Sequence, residues 1–340
     1  MNALDLIDVT SRNDADVIIE RGGVEQAQVR SKDRSPIGRA TALRELSKCT
    51  KTGDTLRLGG LWNHALVSYH LPVDVTLAGL GNDLTTMICS QESQVSDCGF
   101  EIMGRNLVLE DLTLIWQPKD DKIRGGQTLG MTGNKGRSAT STTGKRLKVI
   151  GKGMCALYFW GDASGHKATF EDCQFFAGRW CACIGSGSGD DAAILTLNNC
   201  ELTTDFAKYG GAGGDMGTPP NNSGLVIRGG QCVMNGGKIN VVGYPGSGIA
   251  GDNNKDPFQW AIGACCSSLG DKRLPTYTYP WPYLTLNGVE IRLDATLAAK
   301  RLDVWQHIGT VTVNDGSGSG NGGTYLSDGN VKFGGTAKAA

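Results

Sequence analysis

The chain has no apolar run near the roughly 20 residues of a membrane span, and no stripe of clustered lysine and arginine. Lys and Arg number 33 against 34 Asp and Glu, a net charge of -1 at pH 7. That balance argues against a nucleic-acid partner, because phosphate neutralisation needs massed cations. Histidine is scarce: His64, His70, His166 and His307 are scattered with no ligand spacing, so no metal centre is expected. The start, Met1-Asn2-Ala3-Leu4-Asp5-Leu6-Ile7, lacks a basic stretch leading into an apolar one, and no secretory signal is expected. The 11 cysteines contain no pair of Cys-x-x-Cys motifs, which argues against structural zinc. An odd count without an export signal implies reduced thiols. Cys181 with Cys183, and Cys265 with Cys266, then read as small core-filling residues. No cofactor is implied by any motif.

Glycine is what the chain has in excess, 50 residues against 10 prolines. Without a three-residue period, that density implies many tight turns and close-packed positions. Residues 1–35 are charged and weakly periodic, and are expected to form an N-terminal arm. The alternative is that Val17, Ile18 and Ile19 pair with the first coil of the downstream repeat as an extra edge strand. Ser35-Pro36 opens a capping helix expected over 36–52, with Ala42, Leu43, Leu46 and Cys49 on one face and Gly53 as its breaker.

From Gly53 the sequence changes character. Short alternating runs recur and end in Asn, Asp or Gly: Val75 to Gly79, Leu107 to Asp111, Ala168 to Asp172, Leu195 to Asn199, Leu225 to Gly229, Leu284 to Gly288 and Val311 to Asp315. Most resume with further apolar residues, such as Leu112 and Leu114, or Cys173 and Phe175. Starts lie about 27 to 32 residues apart, or about twice that. Hairpins would place strands about 8 to 12 residues apart with two-residue turn signals. A strand, a polar turn and another strand at this longer period describe a coil. Residues 53–315 are therefore expected to form the coil, and 316–340 a Gly-rich tail. Cys173, Cys200 and Cys232 are expected in one slot of successive coils.

The segment Ala40 to Leu58, a helix with Ala42-Leu43 that runs into Gly53-Asp54-Thr55-Leu56-Arg57-Leu58, resembles the lead-in of pectin-lyase-like chains. In that superfamily such a helix runs into the first rung of a right-handed parallel β-helix, and here it is placed to plug the coil's open end. The resemblance covers about residues 40–315 and implies an all-β solenoid with an N-terminal capping helix, while leaving function open. Polygalacturonase-like members carry Asn-Thr-Asp, Asp-Asp, Gly-His-Gly and Arg-Ile-Lys in chain order. Asp190-Asp191 resembles the second element, but His166 precedes it and the other two are absent. Lyase-like chemistry would draw on Asp111, Asp172 and Asp190 with Arg179 or Arg228 as base. Asp111 and Asp172 also fall at turn positions of the repeat, which is a structural reason for them. No catalytic set is therefore expected; Asp190, Asp191 and His166 are the weak candidates.

Aromatic residues make up only 7% of the chain, so the cluster Tyr277, Tyr279, Trp281 and Tyr283, with Trp260 before it, stands out as a binding surface. Such rings stack on sugars, fill protein interfaces, or cover the coil's own flank. A β-helix with reduced cysteines, no signal and no catalytic set is similar to phage and virus particle proteins of the tailspike, head-spike or capsid-decorating kind. That resemblance implies a homotrimer on the virion, made in the host cytoplasm, with other virion proteins or a host-surface glycan as partners. A polysaccharide lyase or glycoside hydrolase, such as a virion depolymerase, is the alternative, and a bacterial carbohydrate-binding β-helix is a third.

Overall fold

The computed structural model describes residues 3–334 except 66–68, 92–97, 104–105, 120–125, 133–140, 153–154, 160–164, 179, 186–192, 210–222, 243–257, 265–282, 295–299, 307–309, 315–324 and 327–330. Three sheets run along one column, here called A, B and C, with 13, 8 and 9 strands among the described residues. The chain visits them in turn. Lys167–Glu171 lies in A, Gln174–Ala177 in B and Trp180–Gly185 in C, and Ile194–Asn198 returns to A in parallel register with Lys167–Glu171. Each circuit is one rung of a parallel β-helix, as the repeat predicts.

Alternation decides which residues fill the column. In sheet A, Leu56, Leu77, Leu109, Gly144, Phe170, Leu197, Met234 and Leu286 are successive register partners. In sheet B the inward stack is Trp62, Met87, Leu114, Val149, Phe175, Leu202, Ile239 and Ile291. All the side chains in these stacks are buried and join one continuous core. Gly144 is a packing requirement. A Cβ there would lie 2.3 Å from Cδ1 of Phe170, whose ring occupies that space and meets Phe175 edge-on at 5.3 Å.

The bend from A to B repeats as a column of left-handed residues: Asp111, Arg146, Asp172, Asn199, Gly236 and Gly288, at φ between 49° and 64°. Asn, Asp and Gly tolerate that conformation best. Arg146, at φ 49°, is the exception. The residue after the bend points inward, giving the slot Leu112, Leu147, Cys173, Cys200, Gly237 and Val289, as the B-strand registers place it. Cys232 does not share this slot. It lies in sheet A opposite Leu195, because Gly236 and Gly237 take the bend and the slot in its rung.

Residues 7–31 are not a detached arm. Val17–Arg21 pairs antiparallel with Asp54–Leu58, Val24–Ser31 pairs with Val17–Arg21, and Ile7–Val9 with Val24–Ser31. Alternation buries Val17 and Val29 against the first rung, and ion pairs fix the register. Arg21 binds Asp54 through Nε and Nη2 at 2.7 and 3.0 Å, and Arg57 binds Glu20 at 2.8 Å. The helix runs Pro36–Ser47; Ser35 Oγ caps it by accepting from Gly38 N at 3.0 Å. Ala40, Leu43 and Leu46 join the core beside Trp62, and the Arg39 guanidinium lies 4.8 Å over the Trp62 ring. Cys49, expected on the buried face, is exposed because the helix ends at Ser47. Past residue 315, Tyr325–Leu326 and Val331–Gly334 extend sheets C and A in parallel.

Candidate functional site

The A-to-B bend places polar side chains from successive rungs above one another, with equivalent positions about 4.8 Å apart. Along it runs a groove of about 650 Å³ lined by Gly81, Asn82, Asp111, Arg146, Asp172, Cys173, Gln174, Asn199, Cys200, Glu201, Gly237, Lys238 and Glu290. Its size falls in the range of small-molecule sites. Four carboxylates, Asp111, Asp172, Glu201 and Glu290, face two cations, Arg146 and Lys238.

Each carboxylate is engaged. Arg146 donates from Nε to Asp111 Oδ1 at 2.6 Å and from Nη2 to Oδ2 at 2.7 Å, which holds the Asp111 carboxyl below its ordinary range and raises the Arg146 guanidinium. Asn199 Nδ2 donates to Asp172 Oδ1 at 2.6 Å. Glu201 accepts from Gln174 at 3.3 Å, from Thr203 at 2.9 Å and from Asn240 at 3.3 Å, with Lys238 Nζ 3.3 Å away. Glu290 accepts from Arg292 at 2.7 Å. The groove therefore presents a ladder of acceptors with donors beside them, suited to hydroxyl groups. Among the described residues, no group of three or more His, Cys, Asp or Glu could hold a metal ion.

Beside the groove, on sheet A, a second ladder is closed on itself. Asn235 donates to Asn198 at 2.8 Å, and Asn287 to Asn235 at 2.7 Å. These amides bond one another from rung to rung and stabilise the stack.

The residues singled out from sequence fall elsewhere. His166 is a core residue. It is fully buried, its Nε2 lies 2.9 Å from Thr142 Oγ1, its ring meets Phe159 edge-on, and burial pushes its pKa down to about 4. Asp190, Asp191, Arg179, Tyr277, Tyr279 and Trp281 lie outside the described residues. Trp260 is in the sheet C strand Phe258–Ala264, in register with Leu302, whereas Tyr283 opens a sheet A strand and is exposed. The structure thus places these two aromatic positions on different sheets. Asp111 and Asp172 do reach the groove, from the turn positions the repeat gives them. Arg146, Gln174, Asn199, Glu201 and Lys238 were missed. Aligning every rung on its left-handed residue would have found them, but Thr142 to Lys145 lacks the Leu-x-Leu text that flags a rung.

No family model and no curated protein matches the chain. Among solved structures, it is similar to the enzymatically active domain of tailspike protein 2 of bacteriophage CBA120. The TM-score is 0.52 at 13% identity, over 95% of this chain and 49% of that one. The chain thus spans about half the length of that structure, and the likeness concerns the fold.

Proposed function

We propose that the chain is a virion β-helix protein of the tailspike kind, which attaches to a host-surface glycan along the groove at the A-to-B bend. The observation that carries this reading is the polar ladder of the groove, built rung by rung from Asp111, Arg146, Asp172, Gln174, Asn199, Glu201 and Lys238. A linear polysaccharide repeats along one axis, as the groove does. Hydroxyl groups donate to carboxylates and accept from Arg, Asn and Gln side chains, so they complement this lining. The carboxylate surplus disfavours uronate or other polyanionic chains and favours neutral sugars. No helix among the described residues is long and apolar enough to cross a membrane. Assembly as a homotrimer with other virion proteins belongs to the same reading.

Binding is favoured over cleavage because each groove carboxylate already accepts hydrogen bonds from neighbouring side chains. A glycosidase needs one carboxylic acid free to donate its proton to the leaving oxygen. Titration of the purified protein with purified host surface polysaccharides, followed by calorimetry and a reducing-end assay, tests the reading. Saturable binding to a neutral glycan without new reducing ends is expected. Absence of binding to every surface glycan of a susceptible host would overturn attachment. Release of reducing or unsaturated ends would establish the depolymerase reading instead.

A further inference from the structure

Cys173 and Cys200 occupy the same slot in successive rungs, each just before a sheet B strand whose first residues, Gln174 and Glu201, are register partners. Both sulphurs lie against neighbouring carbonyls of one sheet A strand. Cys173 Sγ lies 3.2 Å from Glu171 O, and Cys200 Sγ reaches down one rung to Phe170 O, the adjacent carbonyl, at 3.4 Å. Cys173 Sγ also accepts from Leu147 N at 3.4 Å, and the two thiols bias each other's ionisation. Register partners in adjacent parallel strands stand about 4.8 Å apart, within the Cα separation that a disulfide spans. Both residues are buried, at 1% and 0% exposure, yet both line the groove floor. The other buried thiols nearby are set differently. Cys181 is 3.3 Å from Thr204 Oγ1, and Cys232 stands in sheet A opposite Leu195.

We propose that Cys173 and Cys200 are a latent cross-rung disulfide, closed by hydrogen peroxide and stapling the rungs on which the groove is built. In the first step the Cys200 thiolate attacks one oxygen of hydrogen peroxide and the O–O bond breaks. The departing hydroxide takes up the proton released from Cys200, leaving a Cys200 sulfenic acid and one water. Cys173 Sγ then attacks Cys200 Sγ, the S–O bond breaks, and the departing hydroxide takes the Cys173 proton as a second water. Two thiols lose two electrons in total, and one peroxide gains them. The neighbouring Cys173 lowers the pKa of Cys200, while burial raises that of Cys173.

The test treats the native full chain with hydrogen peroxide, alkylates remaining thiols after unfolding, and digests with trypsin without reduction. Cleavage after Lys167, Arg179 and Lys208 puts Cys173 on residues 168–179, and Cys200 on 180–208 together with Cys181 and Cys183. The expected product is a link between these peptides, two hydrogens lighter than their sum, which fragmentation assigns to Cys173 and Cys200. Cys200→Ser should abolish the link. The wild-type digest decides even where that variant fails to fold. Alkylation of both thiols while exposed Cys49 is oxidised, a link to Cys181 or Cys183, or sulfinic acid at Cys200 without a link would each overturn the proposal.

Discussion

Arg146 grips both carboxylate oxygens of Asp111 from the neighbouring rung while its own backbone stands at φ 49°, a conformation that costs a residue with a Cβ about 1 kcal/mol or more. Its side chain is 52% exposed, so the ion pair returns about 0–1 kcal/mol to stability. The two effects nearly cancel. Non-glycine residues held in such regions cluster at functional sites.

Arg146→Gly relieves the backbone and removes the ion pair together, so stability should change by less than about 1 kcal/mol. Glycan affinity should fall about tenfold, the loss of one charged hydrogen-bonding partner. Urea melts and calorimetric titration separate the two readouts. Equal affinity in the variant would remove Arg146 from the ligand contact.

Gly144→Ala should destabilise the column by about 1–3 kcal/mol, as overpacking does. The added methyl meets the Phe170 ring at 2.3 Å and Leu147 Cδ1 at 2.9 Å, and neither can retreat within a full core. The midpoint of urea unfolding reports the loss. An unchanged midpoint would mean that the Phe170 ring has room to move.

These two residues also mark how far the sequence could be read. Rungs such as Leu195 to Asn199 announce themselves, because alternating apolar residues and a terminal Asn carry both the strand and the bend. The rung of Thr142 and Gly144 does not. Its inward positions hold a hydroxyl and no side chain at all, and the groups that fill them come from other parts of the chain: His166 bonds to Thr142, and Phe170 lies across Gly144. The groove was hidden for a related reason. It is assembled from turn residues about one repeat apart, each of which looks alone like an ordinary solvated bend. The alternation of Val17 to Arg21 spoke for a strand, but its antiparallel partner is set by Arg21 with Asp54 and Arg57 with Glu20, pairs 33 and 37 residues apart.

Acid should weaken the fold through two histidines. Burial pushes the pKa of His64 down to about 3 and that of His166 to about 4, against 6.5 in the unfolded chain. Between those values the unfolded state binds more protons, so stability is complete above about pH 6.5 and falls as the pH drops toward 4 and then 3. At about 1.4 kcal/mol per unit, the combined loss amounts to several kcal/mol. His64 stacks on Tyr69 with ring centroids 4.0 Å apart, and its Nε2 has no hydrogen-bond partner among the described residues. His64→Phe should therefore keep the packing and flatten the acid limb. Melting temperatures at pH 7 and pH 4.5 for the two proteins check this; parallel curves would assign the acid sensitivity to other groups.

Deleting residues 1–34 should damage the column. The segment covers the coil's first strand in sheet A: Val17–Arg21 pairs with all five residues of Asp54–Leu58. Its removal leaves that strand as an open edge, with backbone donors and acceptors unpaired, and such edges recruit other chains. It also strips Arg21 from Asp54, whose carboxylate is 2% exposed and, among the described residues, otherwise accepts from Lys51 N at 2.8 Å. Leaving this carboxylate without its cation is destabilising. Asp16 goes too, and with it the buried anion that Arg39 meets at 3.1 Å beneath the capping helix. In a solenoid such losses act on the terminal rung first and spread from there. The expected result is a lower melting temperature together with concentration-dependent aggregation, followed by light scattering. Asp54→Asn in the full chain isolates the charge from the edge, and should lower stability without aggregation. A truncated protein that stays monomeric and melts as the full chain does would show that the column closes without this segment, and would return residues 1–34 to the role of a separate arm.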